Sequence, residues 1–243
     1  MRGSNRRYLS RVKAHLGVGL VLAIGLVAWQ KPVPSLFLIG DSISIQYGPY
    51  LEKYLEGIVT FSRKQDDGQA EKNLDVPVGA NGGDSRMVLS YLRTKLKDQA
   101  FRPDYLLLNC GLHDIKHNQP EGTIQVSEKE YRENLTAIAQ LLRQRNIELI
   151  WVRTTPVVDT IHNPRSKAFK RYDADLQKYN QIADQVMAAQ QVASIDLYQF
   201  TQQLGIEQFT DHVHYKEPAR ALQAAYLAGY LQAHVHKKRV VSK

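Results

Sequence analysis

The chain has 243 residues, of which 43% are hydrophobic, and a formal net charge of +8. This length and composition are typical of a globular protein with one domain and a sizeable core. The positive charge is concentrated at the termini, because five basic residues precede Leu16 and four follow His236, with no acid in either segment. The rest of the chain is close to neutral, which argues against a nucleic-acid-binding protein.

The first 30 residues have the pattern of an export signal. Five basic residues are followed by 14 uncharged ones from Leu16 to Trp29, as in a secretory signal peptide. The run is shorter than the roughly 20 residues that span a bilayer comfortably. No convincing small-x-small cleavage site precedes Lys31, so membrane attachment through residues 16–29 stays open. We expect an exported protein, with residues 1–30 as signal peptide or anchor, 31–235 as the folded domain and 236–243 as a basic tail.

From Ser35 onward, short apolar runs alternate with amphipathic segments, which is typical of a parallel sheet covered by helices on both faces. The predicted elements in chain order are strand 35–40, a weaker strand 58–64, helix 85–97, strand 105–111, helix 127–145, strand 147–155, helix 172–190, strand 192–198 and helix 218–233. They predict an α/β fold, a three-layer α/β/α sandwich with a central, mostly parallel five-stranded sheet. Segments 65–83 and 157–171 are predicted to be loops.

Three polar clusters follow predicted strands. Gly40-Asp41-Ser42 follows the first strand, Gly111-Leu112-His113-Asp114 follows strand 105–111, and Thr210-Asp211-His212-Val213-His214-Tyr215 comes after the last one. Ligands of open parallel sheets bind beyond the carboxyl ends of the strands, so the clusters are expected to converge. Each cluster alone has a simpler explanation, because Gly-Asp-Ser is a common turn and an aspartate before a helix is usually a cap.

His212 and His214 are separated by one residue, so on an extended segment their side chains point to opposite sides. A metal bound by both would need a bent segment, and the sequence offers no cluster of Cys or Glu to complete a tetrahedral set. We therefore expect no metal. A phosphodiesterase or metal-dependent hydrolase is disfavoured for the same reason.

The motifs IGDSIS, GANGGDS and Asp211-x-x-His214, in this order, resemble the blocks of the SGNH/GDSL hydrolases, a family of serine esterases and lipases on a flavodoxin-like α/β/α sheet. The resemblance implies that Ser42 is the nucleophile, His214 the general base and Asp211 its orienting carboxylate, with His212 a bystander. It also implies that the backbone N–H groups of Ser42 and Gly83 form an oxyanion hole.

The third block departs from the family pattern. Where the family usually has GxND, this chain has GLHD, which puts His113 in the position of the oxyanion asparagine. One interpretation is that His113 donates a ring N–H to the oxyanion, and the other is that it caps the turn after strand 105–111. If His113 is not the donor, Asn81 and Asn109 are the nearest candidates in the sequence.

The chemistry fits these residue types independently of the family. A serine is a weak nucleophile until a neighbouring base takes its proton, and a histidine with an ordinary pKa of about 6.5 can take and return it. A carboxylate on the far ring nitrogen fixes the tautomer. No metal and no organic cofactor is required.

The expected function is an exported serine esterase acting on a short-chain, acetyl-type ester, on a small molecule or a polysaccharide. Segment 157–171 carries positive charges that would suit an acidic sugar chain, although a solvated charged face is favoured for Arg165, Lys167, Lys170 and Arg171. The alternatives are a lysophospholipase or thioesterase, a sugar O-acyltransferase, and a non-catalytic carbohydrate-binding envelope protein with a decayed site.

Overall fold

The protein is described by a computed structural model over residues 32–65, 68–165 and 167–241. The predicted export signal lies outside these residues. The strands are β1 Ser35–Ile39, β2 Thr60–Arg63, β3 Tyr105–Leu108, β4 His117–Asn118, β5 Thr123–Ile124, β6 Glu148–Val152, β7 Phe169–Lys170 and β8 Ala193–Ile195. The helices are α1 Ser42–Tyr54, α2 Gln69–Lys72, α3 Ser85–Lys95, α4 Glu128–Gln144, α5 Asp159–Arg165, α6 Asp173–Ala189, α7 Leu197–Gln203 and α8 Glu217–Val241.

Five of the strands form the central sheet in the order β2-β1-β3-β6-β8, and all their pairings are parallel. The α/β/α fold and the five-stranded sheet predicted from the sequence are confirmed. The chain crosses from β2 on one side of β1 to β3 on the other. This reversal makes the carboxyl ends of β1 and β3 the topological switch point, where doubly wound sheets open a crevice.

The sheet strands are apolar because helices cover both faces. Leu106, Leu107 and Leu108 on β3 are fully buried, as expected for a central parallel strand. Helix α1 packs against α8 in one helical group, and α4 packs against α3 and α6 in the other. Each group shields apolar sheet side chains from water, which is the main stabilisation of such a fold.

The sequence analysis missed helix α1, which begins at Ser42 directly after the Gly-Asp turn. Gly48 and Pro49 lie inside this helix and have the poorest intrinsic helix propensity, which obscured the pattern. Packing overrides the propensity, since Leu51 and Tyr47 of the helix are buried in the core. The Asp41 carboxylate caps the helix by accepting from the Ile43 N–H at 3.0 Å, as N-terminal caps do.

The predicted loops contain regular structure. Segment 65–83 includes the short helix α2, and 157–171 includes α5 and β7. Strand β7 joins β4 and β5 in a small antiparallel sheet that was not predicted. The solvated charged face expected for 157–171 is wrong for Arg171, which is 2% exposed.

The last helix is longer than predicted. It runs to Val241 instead of ending at Ala233. Two of its side chains are tied to Glu148 at the start of β6, with His234 Nε2 at 2.8 Å and Lys238 Nζ at 3.2 Å. Positive side chains in a last turn also favour helix continuation. Within the described part of the chain, no helix combines the length and apolar character that crossing a membrane requires.

Candidate active site

The structure brings Ser42, His214 and Asp211 into one hydrogen-bonded row. His214 Nε2 lies 2.8 Å from Ser42 Oγ, and His214 Nδ1 lies 2.7 Å from Asp211 Oδ2. With the proton on Nδ1, the ring donates to the carboxylate and leaves Nε2 to accept from the serine hydroxyl. Ser42 and His214 are almost fully buried, at 4% and 3% exposure.

Asp211 holds both the His214 ring and the backbone of the segment that carries His214. Its Oδ1 accepts from the N–H groups of Val213 and His214 at 2.9 Å each, while Oδ2 accepts from the ring. Burial alone would raise the pKa of Asp211, but the His214 ring bond and the two backbone bonds hold it well below its ordinary value. The carboxylate therefore stays ionised and keeps the His214 tautomer fixed.

Ser42 follows β1, as predicted from the sequence, and is the first residue of α1. The first N–H groups of a helix have no intrahelical acceptor, and they carry the positive end of the helix dipole. The Asp41 carboxylate accepts a hydrogen bond from the Ile43 N–H. The Ser42 N–H is therefore placed, by its position in the helix, to meet negative charge beside its own hydroxyl.

Gly83 lies next to this turn but its N–H is engaged. Gly82 N donates to Gly40 O at 2.8 Å, which joins the second block to the turn that carries Ser42. Gly83 has φ +72°, a backbone conformation that favours glycine, and a Cβ there would lie 2.5 Å from Met87 Sδ and would displace that side chain. Its N–H donates to Asn81 Oδ1 at 2.9 Å. To donate to an oxyanion, as predicted, this N–H must break its hydrogen bond to Asn81 Oδ1 and form one to the substrate oxygen.

His113 belongs to a third-block loop, residues 111–114, which follows β3 across the switch point from Ser42. The ring is 3% exposed. Burial lowers the pKa of His113 well below its ordinary value, and the nearby charges of Lys116 and Arg171 lower it further, with a contribution from His214. The ring is therefore neutral at neutral pH, with one N–H to donate.

Long-range contacts hold both ends of the third-block loop. Asp114 accepts from the Ser85 N–H, with Oδ1 at 2.9 Å and Oδ2 at 3.1 Å. The carbonyl of Cys110, which precedes the loop and is itself buried, accepts from Tyr131 Oη at 3.0 Å and Thr154 Oγ1 at 3.2 Å. Burial raises the pKa of Asp114 to about 7, although the Ser85 bonds oppose the shift.

The two asparagines considered as replacement donors are occupied elsewhere. Asn109 Nδ2 donates to Val152 O at 2.9 Å and to Thr154 Oγ1 at 3.3 Å. Asn81 Nδ2 donates to Leu74 O at 3.2 Å. Both amide groups therefore stabilise backbone or side chains of the scaffold. His113 remains the candidate for the third donor.

His212 packs against His162, with ring centroids 4.0 Å apart, and its ring centroid lies 6.0 Å from that of His214. Its Nε2 lies 3.7 Å from Asp75 Oδ1, and its Nδ1 lies 3.7 Å from Asp211 Oδ1. His212, with Arg171 nearby, lowers the pKa of Asp75 to about 2. In residues 32–65, 68–165 and 167–241, no three His, Cys, Asp or Glu side chains are grouped to hold a metal ion.

Sequence reasoning missed three residues around the site: Asp75, Asp114 as a loop anchor, and Arg171. Arg171 Nε donates to Leu112 O at 2.7 Å, and Nη1 lies 3.9 Å from Asp75 Oδ1. The sequence spacing of these three residues predicts none of their contacts. Arg171 was one of several positive charges in a predicted loop, and no periodicity distinguished it from the others.

Comparisons with known proteins agree with this architecture. The family model described as GDSL-like lipase/acylhydrolase matches residues 38–222. No curated protein matches the chain. Among solved structures, the lipase/acylhydrolase from Enterococcus faecalis is 16% identical with a TM-score of 0.62, over 83% of this chain and 96% of that one.

Two further structures are similar. A GDSL-like lipase from Bacteroides thetaiotaomicron is 15% identical with a TM-score of 0.62, over 91% of this chain and 98% of that one. The acetylxylan esterase Axe2 from Geobacillus stearothermophilus is 14% identical with a TM-score of 0.58, over 83% of this chain and 96% of that one. At these identities the structural likeness shows a shared fold.

Proposed function

Because the chain belongs to the GDSL-like lipase/acylhydrolase family, whose members hydrolyse esters, we propose that it is a serine esterase that uses Ser42, His214 and Asp211. The observation that carries the proposal is the continuous row from Ser42 Oγ to His214 Nε2 at 2.8 Å and from His214 Nδ1 to Asp211 Oδ2 at 2.7 Å. This row is the arrangement that nucleophile activation needs.

The reaction proceeds in two halves. In the first half, the Ser42 hydroxyl passes its proton to His214 Nε2 while Oγ attacks the ester carbonyl, and the His214 proton then goes to the leaving alkoxide. This leaves an acyl group on Ser42. In the second half, His214 takes a proton from water, the hydroxide attacks the acyl carbon, and the proton returns to Ser42 as the carboxylic acid leaves.

Negative charge develops on the carbonyl oxygen in both halves. The Ser42 N–H at the start of α1, the neutral His113 ring and the Gly83 N–H are the proposed donors. A donor fixed before the reaction, as the Ser42 N–H is by its place at the start of α1, stabilises this charge more than mobile water does. The Gly83 N–H must first leave Asn81 Oδ1. Besides the ester and water, the scheme draws only on residues of the chain.

The proposed substrate is a short-chain, acetyl-type ester on a carbohydrate. Ser42, His113 and His214 are each at most 4% exposed, and such restricted access favours a small acyl group over a long chain. The structural similarity to the acetylxylan esterase Axe2 supports a sugar as the alcohol part. A lysophospholipase or thioesterase is the second candidate, and acyl transfer to a sugar would use the same residues.

A chromogenic ester series from acetyl upward, assayed with and without chelator, tests the proposal. We expect the highest kcat/KM for acetyl, a steep fall with acyl length, and no effect of chelator. Acetate release from acetylated xylan, compared with lysophosphatidylcholine hydrolysis, separates the sugar and lipid alternatives. Loss of activity with chelator, recovered by added metal, would overturn the serine mechanism.

We also propose that the protein acts outside the cytoplasm. The support is the basic segment followed by the apolar run Leu16–Trp29. The test is expression of the full chain with a C-terminal tag, followed by fractionation and protease treatment of intact cells. We expect the tag in the periplasm, medium or outward face of the membrane, and a tag found only in the cytosol would refute export.

A further inference from the structure

We propose that Arg171 positions the Leu112–His113 peptide and thereby sets the orientation of the His113 ring towards Ser42. The inference rests on the proposed function, since it assigns a positioning role in the same ester-hydrolysing site. It goes beyond that function because Arg171 lies outside every motif that identifies the nucleophile, the base or the oxyanion donors.

The direct contact is a buried, charge-assisted hydrogen bond. Arg171 Nε donates to Leu112 O at 2.7 Å, and the arginine is 2% exposed. The two residues are 59 positions apart in the chain. A bond from an ionised donor in a buried place is stronger and more directional than a neutral one. The peptide that precedes His113 is therefore fixed in its plane.

The other contacts fix Arg171 itself. Its backbone N–H donates to Asn163 Oδ1 at 3.0 Å. The guanidinium lies 4.7 Å from the centre of the Phe169 ring, and Nη1 lies 3.9 Å from Asp75 Oδ1. Burial lowers the pKa of Arg171 to about 10, so the group stays charged at neutral pH. A planar guanidinium with these supports can hold a carbonyl in a way that a flexible ammonium cannot.

The third-block loop needs such a contact at its centre. Before the loop, the Cys110 carbonyl is held by Tyr131 and Thr154, and at its end the Asp114 carboxylate is held by Ser85. Arg171 holds the carbonyl between them. Because oxyanion stabilisation depends on donor placement, a small shift of this peptide moves the His113 ring away from the substrate oxygen.

A double-mutant cycle with His113 separates positioning from a purely structural role. The variants are Arg171→Met, Arg171→Lys, His113→Ala and each double combination, assayed for kcat, KM and melting temperature. The matched control is Arg153→Met, since Arg153 follows β6 at the same sheet edge but is paired with Asp196 at 2.8 Å and Asp184 at 3.2 Å.

We expect Arg171→Met to lower kcat about 10- to 100-fold with little change in KM. Arg171→Lys should lose less kcat than Arg171→Met, and Arg153→Met should keep the wild-type kcat. In the His113→Ala background, Arg171→Met should change kcat by less than about threefold, because its effect passes through the missing ring. Losses that multiply in the double variant would overturn the inference, and so would unchanged kcat in Arg171→Met.

The outcomes also separate this inference from the proposed function. A wild-type protein without esterase activity refutes the function itself. An active wild type, an inactive Ser42→Ala and multiplicative losses refute only the role of Arg171. Full kcat in His113→Ala refutes it as well, since Arg171 would then have no donor to position. If Arg171→Met does not fold, the cycle with Arg171→Lys decides.

Discussion

The two sides of the candidate site are built in different ways. On the triad side, Asp211 fixes His214 through contacts within four residues, and one long-range bond reaches Ser42. On the oxyanion side, the third-block loop depends on partners 29 and 59 positions away, Ser85 and Arg171. The Asp211–His214 pair is thus a local unit, whereas the link from His214 to Ser42, 172 positions away, and the contacts of the third-block loop form only when the fold is assembled.

The two aspartates of these regions show the same contrast in their electrostatics. Asp211 accepts three hydrogen bonds with a side chain that is 39% exposed, and its pKa is lowered. Asp114 is fully buried, and burial raises its pKa to about 7. Solvation and hydrogen bonding, and not residue type, therefore determine the charge of each carboxyl group.

The largest expected effect comes from removing the proposed nucleophile, Ser42, on the triad side. Ser42→Ala should lower kcat about 10⁴-fold or more, because no other group can form the acyl-enzyme. Steady-state kinetics with a chromogenic acetyl ester, together with circular dichroism to verify folding, measure this. Turnover like that of the wild type in a folded Ser42→Ala variant would exclude the serine mechanism.

A histidine pair in the same segment provides a matched comparison. His214→Ala should approach the loss seen for Ser42→Ala, since His214 contacts the Ser42 hydroxyl. His212→Ala should keep kcat within about tenfold, because it removes packing against His162 and no contact to the nucleophile. Equal losses in the two variants, with zinc found in the purified wild type, would favour a metal site over the triad.

On the oxyanion side, His113→Ala should lower kcat about 10²–10³-fold at nearly constant KM, as loss of one oxyanion donor typically does. His113→Asn restores the usual family residue and should recover part of the loss. Kinetics of both variants with the acetyl ester are the measurement. If His113→Ala retains full kcat, the ring merely caps its turn and the oxyanion side has only backbone donors.

The smallest expected effect is on stability, and it comes from the ionisation of Asp114. Its pKa rises from 3.8 to about 7 on folding, so the folded state binds more protons than the unfolded state between these pH values. Stability therefore falls as pH rises through this window. Asn at this position cannot ionise but keeps an oxygen for the Ser85 N–H. From pH 5 to pH 8, we expect wild type to lose roughly 2–3 kcal/mol more unfolding free energy than Asp114→Asn.

Urea unfolding of both proteins at the two pH values measures the difference. The exposed substitution Glu71→Gln serves as the control, because it removes an acid without touching the loop. The same pH dependence in wild type and Asp114→Asn would show that Asp114 ionises normally despite its burial.

The sequence predicted local features of the molecule better than its long-range contacts. Short apolar runs predicted the five sheet strands, which are covered on both faces, and apolar spacing predicted the helices α3, α4 and α6, which bury one face each. The Asp211-x-x-His214 spacing predicted a local contact because three residues suffice to reach from carboxylate to ring. Helix α1 was missed because Gly48 and Pro49 oppose helix propensity and tertiary packing overrides them.

The contacts of Arg171 and Asp114 were not predictable in this way. A long-range hydrogen bond leaves no periodicity in the sequence, and an arginine in a polar segment has the composition of a solvated surface. Only the arrangement of β3, β7 and α3 around the switch point brings these side chains to their partners.

Cys110 gives the molecule a practical property. It is the only cysteine of the chain, directly precedes the third-block loop and is fully buried, and burial raises the pKa of its thiol well above the ordinary value. A thiol that is neither ionised nor accessible does not react with alkylating reagents in the native protein. A Lys167→Cys substitution at this exposed position would therefore take a single fluorophore, without prior removal of Cys110.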